Sequence, residues 1–188
     1  MSERPLLPGE HSVLGLLAMR PMHGYEMAQC FAEAGLDAVS PVEQSLLYTY
    51  LRNLEGREFV RWQEQRVGNR PPRKLYELTP HGSEELDAWL RTPVLRIRQV
   101  RLDFLLKLYF LHLLDPEAER QLITRQIAVC EDYCTRLRDE GSTLSDFPRL
   151  VVRSKLSGAS ATLEWLRAYQ LELGNTTEGA DRAAPPAS

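Results

Sequence analysis

The stretch that decides the fold is Phe59-Val60-Arg61-Trp62-Gln63-Glu64-Gln65-Arg66-Val67, then Gly68-Asn69-Arg70-Pro71-Pro72, then Lys74-Leu75-Tyr76-Glu77-Leu78. Residues 59–67 read as one strand and 74–78 alternate as a second. The Gly, Asn and Pro cluster between them is turn chemistry, so the two runs form a hairpin. The rest of the chain reads as helix.

Working upstream, Gly56 closes a helix from about Val42 to Glu55. Ser40-Pro41 suits its start, because Ser is a good N-cap and Pro a good first helical residue. A second helix spans about Tyr25 to Ala34 and stops at Gly35. A first, short and apolar helix runs from His11 to Met19, and Pro21, His23 and Gly24 punctuate after it. Downstream, Thr79-Pro80 opens a helix through Leu90, with Glu84 and Glu85 in its early turns. Three further helical segments follow: Gln99–Leu114, apolar on most sides; Pro116–Glu140, amphipathic; and Phe147–Leu173, with leucines close to heptad spacing. The predicted fold class is mainly α. An N-terminal winged helix-turn-helix of three helices plus a β-hairpin wing precedes an α-helical dimerisation domain. Its expected boundaries are 1–91, 92–174 and a disordered tail over 175–188.

On a helical wheel with Leu46 at zero, Tyr50, Leu54, Leu47 and Leu51 fall between about 40° and 140°. Glu55, Tyr48, Arg52, Ser45 and Thr49 fall between about 180° and 300°. The second face carries hydrogen-bonding groups, an aromatic and a cation. Such a surface can meet base edges and phosphates in a major groove. It can also be an ordinary solvated face, and the surrounding charge favours the first reading. The chain of 188 residues has a net charge of −3, which taken alone argues against nucleic acid. Between Arg52 and Lys74, however, seven cations (Arg52, Arg57, Arg61, Arg66, Arg70, Arg73 and Lys74) meet three acids, a local balance of +4.

Other classes are disfavoured. No stretch reaches the ~18 apolar residues of a membrane span, and the N-terminus lacks the apolar core of a secretory signal. Cys30, Cys130 and Cys134 are too few for a disulfide framework and read as small core hydrophobes in a reducing cytoplasm. The four histidines have no metal spacing, so no metal or cofactor is expected. No phosphate loop, nucleophile elbow or zinc-binding helix is present, and no catalytic residue is expected.

The first ninety residues resemble the PadR family of bacterial transcriptional regulators. Leu14-Gly15-Leu16-Leu17 is followed by Pro21-Met22-His23-Gly24-Tyr25-Glu26. Leu47-Tyr48, Leu51 and Leu54-Glu55 follow in the recognition helix. Arg66 to Arg73 forms the wing, and Tyr76-Glu77-Leu78-Thr79-Pro80-His81-Gly82 supplies the family's Tyr-x-Leu-Thr-x-x-Gly ending. The family often has Gly-Ser or Gly-Thr before the hydrophobic-Tyr pair and Pro after the Tyr. Ser45, Leu46 and Thr49 stand there, so base preference does not carry over.

The resemblance implies a cytoplasmic homodimer that binds double-stranded DNA, as a repressor, with a small aromatic effector. The residues expected to face DNA are Gln44, Ser45, Tyr48, Thr49 and Arg52. Arg66, Asn69, Arg70, Arg73 and Lys74 are expected to grip the backbone from the wing. Trp89, Tyr109, Phe110 and Trp165, with Trp62, are the aromatics available to a ligand pocket, each of which can equally be core. An alternative is a protein-interaction module whose winged helix has lost specific DNA binding. A carrier or enzyme built on the helical half would need a cluster of polar groups that the sequence does not show. A regulator of the MarR type would place dimerisation helices at both ends of the chain.

Overall fold

The computed structural model describes residues 4–66 and 72–181, with side chains to residue 174. Helix α1, Pro8–Met19, starts three residues before the expected His11, because Pro8 fills the first helical position. Glu10 reaches back to accept from the Leu7 amide at 2.7 Å. Gly9 through Leu17 are all buried, so α1 is the core helix of its unit. A two-residue strand β1, Met22–His23, follows where the sequence suggested only punctuation. Then come α2, Gly24–Glu33, and a 3₁₀ turn, Leu36–Ala38, entered through Gly35 at φ 67°.

Helix α3 spans Gln44–Gly56, and Glu43, not Ser40, stands at its N-cap position, with no side-chain capping bond. The Ser40 amide is already bonded to Leu36 O at 2.8 Å, closing the 3₁₀ turn, so the Ser40-Pro41 start belongs to the loop. Strands β2, Val60–Gln65, and β3, Arg73–Leu78, form the hairpin, and β1 joins β3 on its other edge. The sheet is antiparallel throughout, with Met22 and Trp62 both opposite Tyr76. A two-residue strand has too few side chains to alternate, which is why β1 left no periodic signal.

Helix α4, Pro80–Arg91, begins with Thr79 accepting from the Gly82 amide at 3.0 Å. Gly82 is needed for its size: a Cβ there would lie 2.0 Å from the Phe59 carbonyl oxygen. One turn of α5, Ile97–Gln99, and a π turn, Val100–Phe104, precede α6, Leu105–Leu114, so the expected single helix over 99–114 is interrupted. Helices α7, Pro116–Ser142, and α8, Asp146–Asp181, complete the chain. Residues 182–188 of the expected tail lie outside the described residues.

The chain forms two compact units. The first is Met1–Thr92 with Arg101–Leu114, so α6 folds with the winged helix rather than with the long helices. In it α1 packs against α3, α4, α6 and β3. The Phe110 ring fills the space a Cβ on Gly15 would need, 2.6 Å away. The second unit is Pro93–Val100 with Asp115–Ser188. There α7 and α8 lie side by side in opposite directions: Gly141 meets Val152 at one end, and Tyr169 bonds Glu119 at the other. Leu122, Ile123, Cys130, Cys134 and Leu137 are buried on α7, and Val152, Ala159, Leu163 and Leu166 on α8. The buried cysteines fit their reading as core residues. Gln126 sits in the same core with its amide bonded to both the N–H and the C=O of Val94.

Candidate nucleic-acid interface

Helix α3 is fixed on one side by Leu47, Tyr50, Leu51 and Leu54, all buried. Leu46, expected on that face, is 37% exposed. It lies in the first turn, at the edge of the arc that the buried residues define. The other side carries Gln44, Ser45, Tyr48 and Arg52, all exposed, and Thr49, half-buried. Thr49 Oγ donates to Ser45 O, and Arg52 Nη2 donates to Thr49 Oγ at 3.1 Å. The structure therefore brings these five residues onto one surface and holds the guanidinium of Arg52 against it.

Two polar clusters set the position of α3. Glu10, with no exposed surface, accepts from the Leu7 amide, from Arg4 at 2.9 Å and from Asn53 Nδ2 of α3 at 3.1 Å. Burial alone would push its carboxyl up; the Leu7 amide, Arg4 and Asn53 outweigh that and hold it below the usual carboxylate range. Two residues further along α3, Glu55 accepts the indole N–H of Trp62 at 2.6 Å. Lys74 Nζ lies 3.7 Å above the Trp62 ring and 4.0 Å from Glu55. The wing and α3 are thus joined by an indole, a carboxylate and an ammonium. The sequence pattern marks neither Glu10 nor Trp62 for this role: Glu10 meets Asn53 across 43 residues, and Trp62 meets Glu55 only because the chain folds back between helix and strand.

The wing cations divide by their partners. Arg61 pairs with Glu77 directly across the hairpin at 2.7 Å, and Lys74 is engaged as above. Arg57 donates to the Arg4 carbonyl and lies over Phe59. Arg66 is exposed at the end of β2, and Arg73 stacks its guanidinium over Tyr25, 5.1 Å from the ring centre. Asn69 and Arg70 lie outside the described residues. A cleft of about 290 Å³ opens between the start of α2, the outer face of α3 and β3, lined by His23, Gly24, Tyr25, Tyr48, Arg73, Lys74 and Tyr76.

Residues 13–88 match the model of the transcriptional regulator PadR-like family. The segment that runs from α1 into α4 is thus that of a PadR-like transcriptional regulator. Residues 100–173 match a second model, described as the C-terminal part of virulence activator alpha. A curated relative, the negative transcriptional regulator PadR of Bacillus subtilis (strain 168), is 28% identical over 118 residues, which is 63% of this chain. The match spans 64% of that relative's length. Among solved structures, Bacillus subtilis PadR in complex with operator DNA is 25% identical, with 87% of this chain and 98% of that chain covered and a TM-score of 0.45. The same PadR in complex with p-coumaric acid is 23% identical, with 89% and 99% covered and a TM-score of 0.41. The family is one of transcriptional regulators, not of enzymes.

In this chain the aromatics considered for a ligand pocket are distributed between the units. Phe110 is fully buried and meets Tyr109 edge-on. Trp89 stacks on His11 at 4.4 Å, with Lys107 Nζ 4.9 Å from its ring. Trp62 belongs to the wing cluster. Trp165, in the second unit, stacks on Tyr169 and is 39% exposed. Among the described residues no group of three or more metal-ligating side chains occurs, and no helix is long and apolar enough to cross a membrane.

Proposed function

We propose that the protein is a cytoplasmic repressor that binds a two-fold DNA operator as a homodimer. Helix α3 enters the major groove with Gln44, Ser45, Tyr48, Thr49 and Arg52 facing DNA. The wing grips the adjacent backbone through Arg66, Arg73, Lys74 and the tip residues Asn69 and Arg70. The observation that carries this reading is the α3 surface. Four buried side chains anchor the helix while its opposite face presents polar groups and an arginine to solvent, a surface suited to base edges. The PadR-like family match supports regulation of transcription, and the likeness to a negative regulator supports repression.

Self-association is supported by the apolar side chains that α8 leaves exposed, notably Phe147 at 72%, Leu150 at 59% and Leu171 at 71%. Two recognition helices then meet half-sites about 34 Å apart, one turn of DNA. Release by a small aromatic effector belongs to the same proposal. Such a ligand acts only by favouring one of two spacings of the DNA-reading heads. The aromatics offered to it are Trp89 and Tyr109 in the first unit, with Phe110 behind Tyr109, or Trp165 in the second.

The test is fluorescence anisotropy of duplexes from upstream of the protein's own and neighbouring genes, at two salt concentrations. One duplex binds the wild type in strong preference to a scrambled duplex, and added p-coumarate is the first effector tried. Absence of any preferred duplex contradicts the reading.

A further inference from the structure

The cleft beside α3 has a chemistry that the groove-reading face lacks. Its floor is Gly24, where a Cβ would come within 2.8 Å of the Tyr48 ring, so Tyr48 lies across the start of α2 instead of standing free in front of the helix. Tyr25 forms the opposite wall at 44% exposed, and Tyr48 is 38% exposed. Among the described residues neither tyrosine hydroxyl has a hydrogen-bond partner. Arg73 places its guanidinium carbon over the Tyr25 ring, 5.1 Å from the centre, and its N–H groups have no hydrogen-bond partner among the described residues. Glu26, the acid of this corner, is already occupied: it accepts from the His23 amide at 2.7 Å and faces Arg20 at 3.8 Å.

The walls are also held rigidly together. The His23 ring joins Lys74 O and Gln65 Oε1, each at 2.9 Å, and stacks on Tyr25. One imidazole therefore ties the α2 entrance to both strands of the wing.

Two free phenol donors and one open guanidinium around a small solvent-accessible cleft, next to the helix that reads the groove, fit a singly charged tetrahedral oxyanion. We propose that this cleft seats one DNA backbone phosphodiester per subunit, with Tyr25, Tyr48 and Arg73 as its ligands and His23 as the positioning residue. This rests on the DNA-binding reading above. It moves Tyr48 from reading bases to holding the backbone, and it gives Tyr25 a role.

The seat is sequence-independent, so an arbitrary 30-base-pair labelled duplex is a sufficient probe. Full-length wild type, Tyr25→Phe, Tyr48→Phe and Arg73→Ala are titrated by anisotropy over a series of chloride concentrations. Each Tyr→Phe variant binds roughly tenfold more weakly on this duplex and on a scrambled one, with the salt dependence unchanged, because only a neutral donor is lost. Arg73→Ala lowers the log–log salt slope by about one per bound subunit. Unchanged thermal melting of the Tyr→Phe variants excludes a folding effect.

Equal DNA affinity of wild type and both Tyr→Phe variants overturns the seat while leaving DNA binding intact. A wild type that binds no duplex overturns the underlying reading. Inorganic phosphate exchanged for chloride at constant ionic strength leaves the wild type's affinity unchanged. A melting temperature that inorganic phosphate raises in wild type but not in Tyr25→Phe, with DNA affinity equal in the two, assigns the cleft to free phosphate and overturns the DNA assignment.

Discussion

At the scale of single residues, His11 is the group most at odds with its surroundings. It sits in the core of the first unit at 5% exposure, flat against Trp89, with Nε2 3.4 Å from Glu85 and Nδ1 without a partner among the described residues. Burial pulls its pKa down from 6.5 to about 4, and Lys107 adds to the fall, against the opposing pull of Glu85. Between those values the unfolded chain takes up a proton that the folded chain refuses. Stability is therefore full above the unfolded value of about 6.5 and falls as pH drops toward 4. The loss is on the order of 3 kcal/mol at most, by the linkage of pKa to free energy. Urea unfolding at pH 7 and pH 4.5 checks this: His11→Phe, which keeps a ring on Trp89, loses less on acidification than wild type. Gly82→Ala belongs to the same scale. Its methyl would run into the Phe59 carbonyl oxygen, and the variant should be destabilised by about 1–3 kcal/mol in the same assay.

At the scale of elements, the recognition helix depends on what holds it from behind. Glu10→Ala leaves Asn53 and the Leu7 amide without their carboxylate. It should cost about 1–3 kcal/mol of stability, measured by denaturant unfolding. Helix α4 has a similar dependence at its end, where buried Lys107 donates to Trp89 O and Thr92 O. Burial lowers the Lys107 pKa to about 8, so this latch weakens in alkaline solution.

Most elements were legible because each has a local cause: Pro80 at a first helical position, Gly35 at a positive φ after α2, and the turn cluster after β2. Three features were not. Strand β1 is too short for a periodic pattern. The α3 cap moved because the preceding 3₁₀ turn had claimed Ser40. The π turn at Val100–Phe104 lies within a run, residues 99–114, that reads as one helix, and no Pro or Gly in it marks the turn. The site shows the same division. The outer residues of α3 follow from a helical wheel, whereas the Glu10–Asn53 and Trp62–Glu55 links join residues whose meeting depends on the tertiary fold.

At the scale of the molecule, a net charge of −3 conceals a basic region on a chain whose remainder is acidic. The structure sharpens that division. Glu77 neutralises Arg61, and Glu55 faces Lys74, whereas Arg52, Arg66 and Arg73 are exposed and have no carboxylate partner among the described residues. An acidic remainder opposes loose attachment to DNA, and affinity should then depend on two heads meeting two half-sites. Light scattering at micromolar concentration should accordingly report a dimer; a monomer contradicts the two-headed arrangement.

The central claim is that α3 reads DNA, and Arg52 tests it most directly. Anisotropy titration of wild type and Arg52→Ala is run against the preferred upstream duplex and its scrambled counterpart. Wild type should favour the former by roughly a thousandfold or more. The variant should lose about 1–3 kcal/mol on the preferred duplex and much less on the scrambled one. Equal losses on both, or no loss on either, would contradict the assignment of α3 as the reading helix.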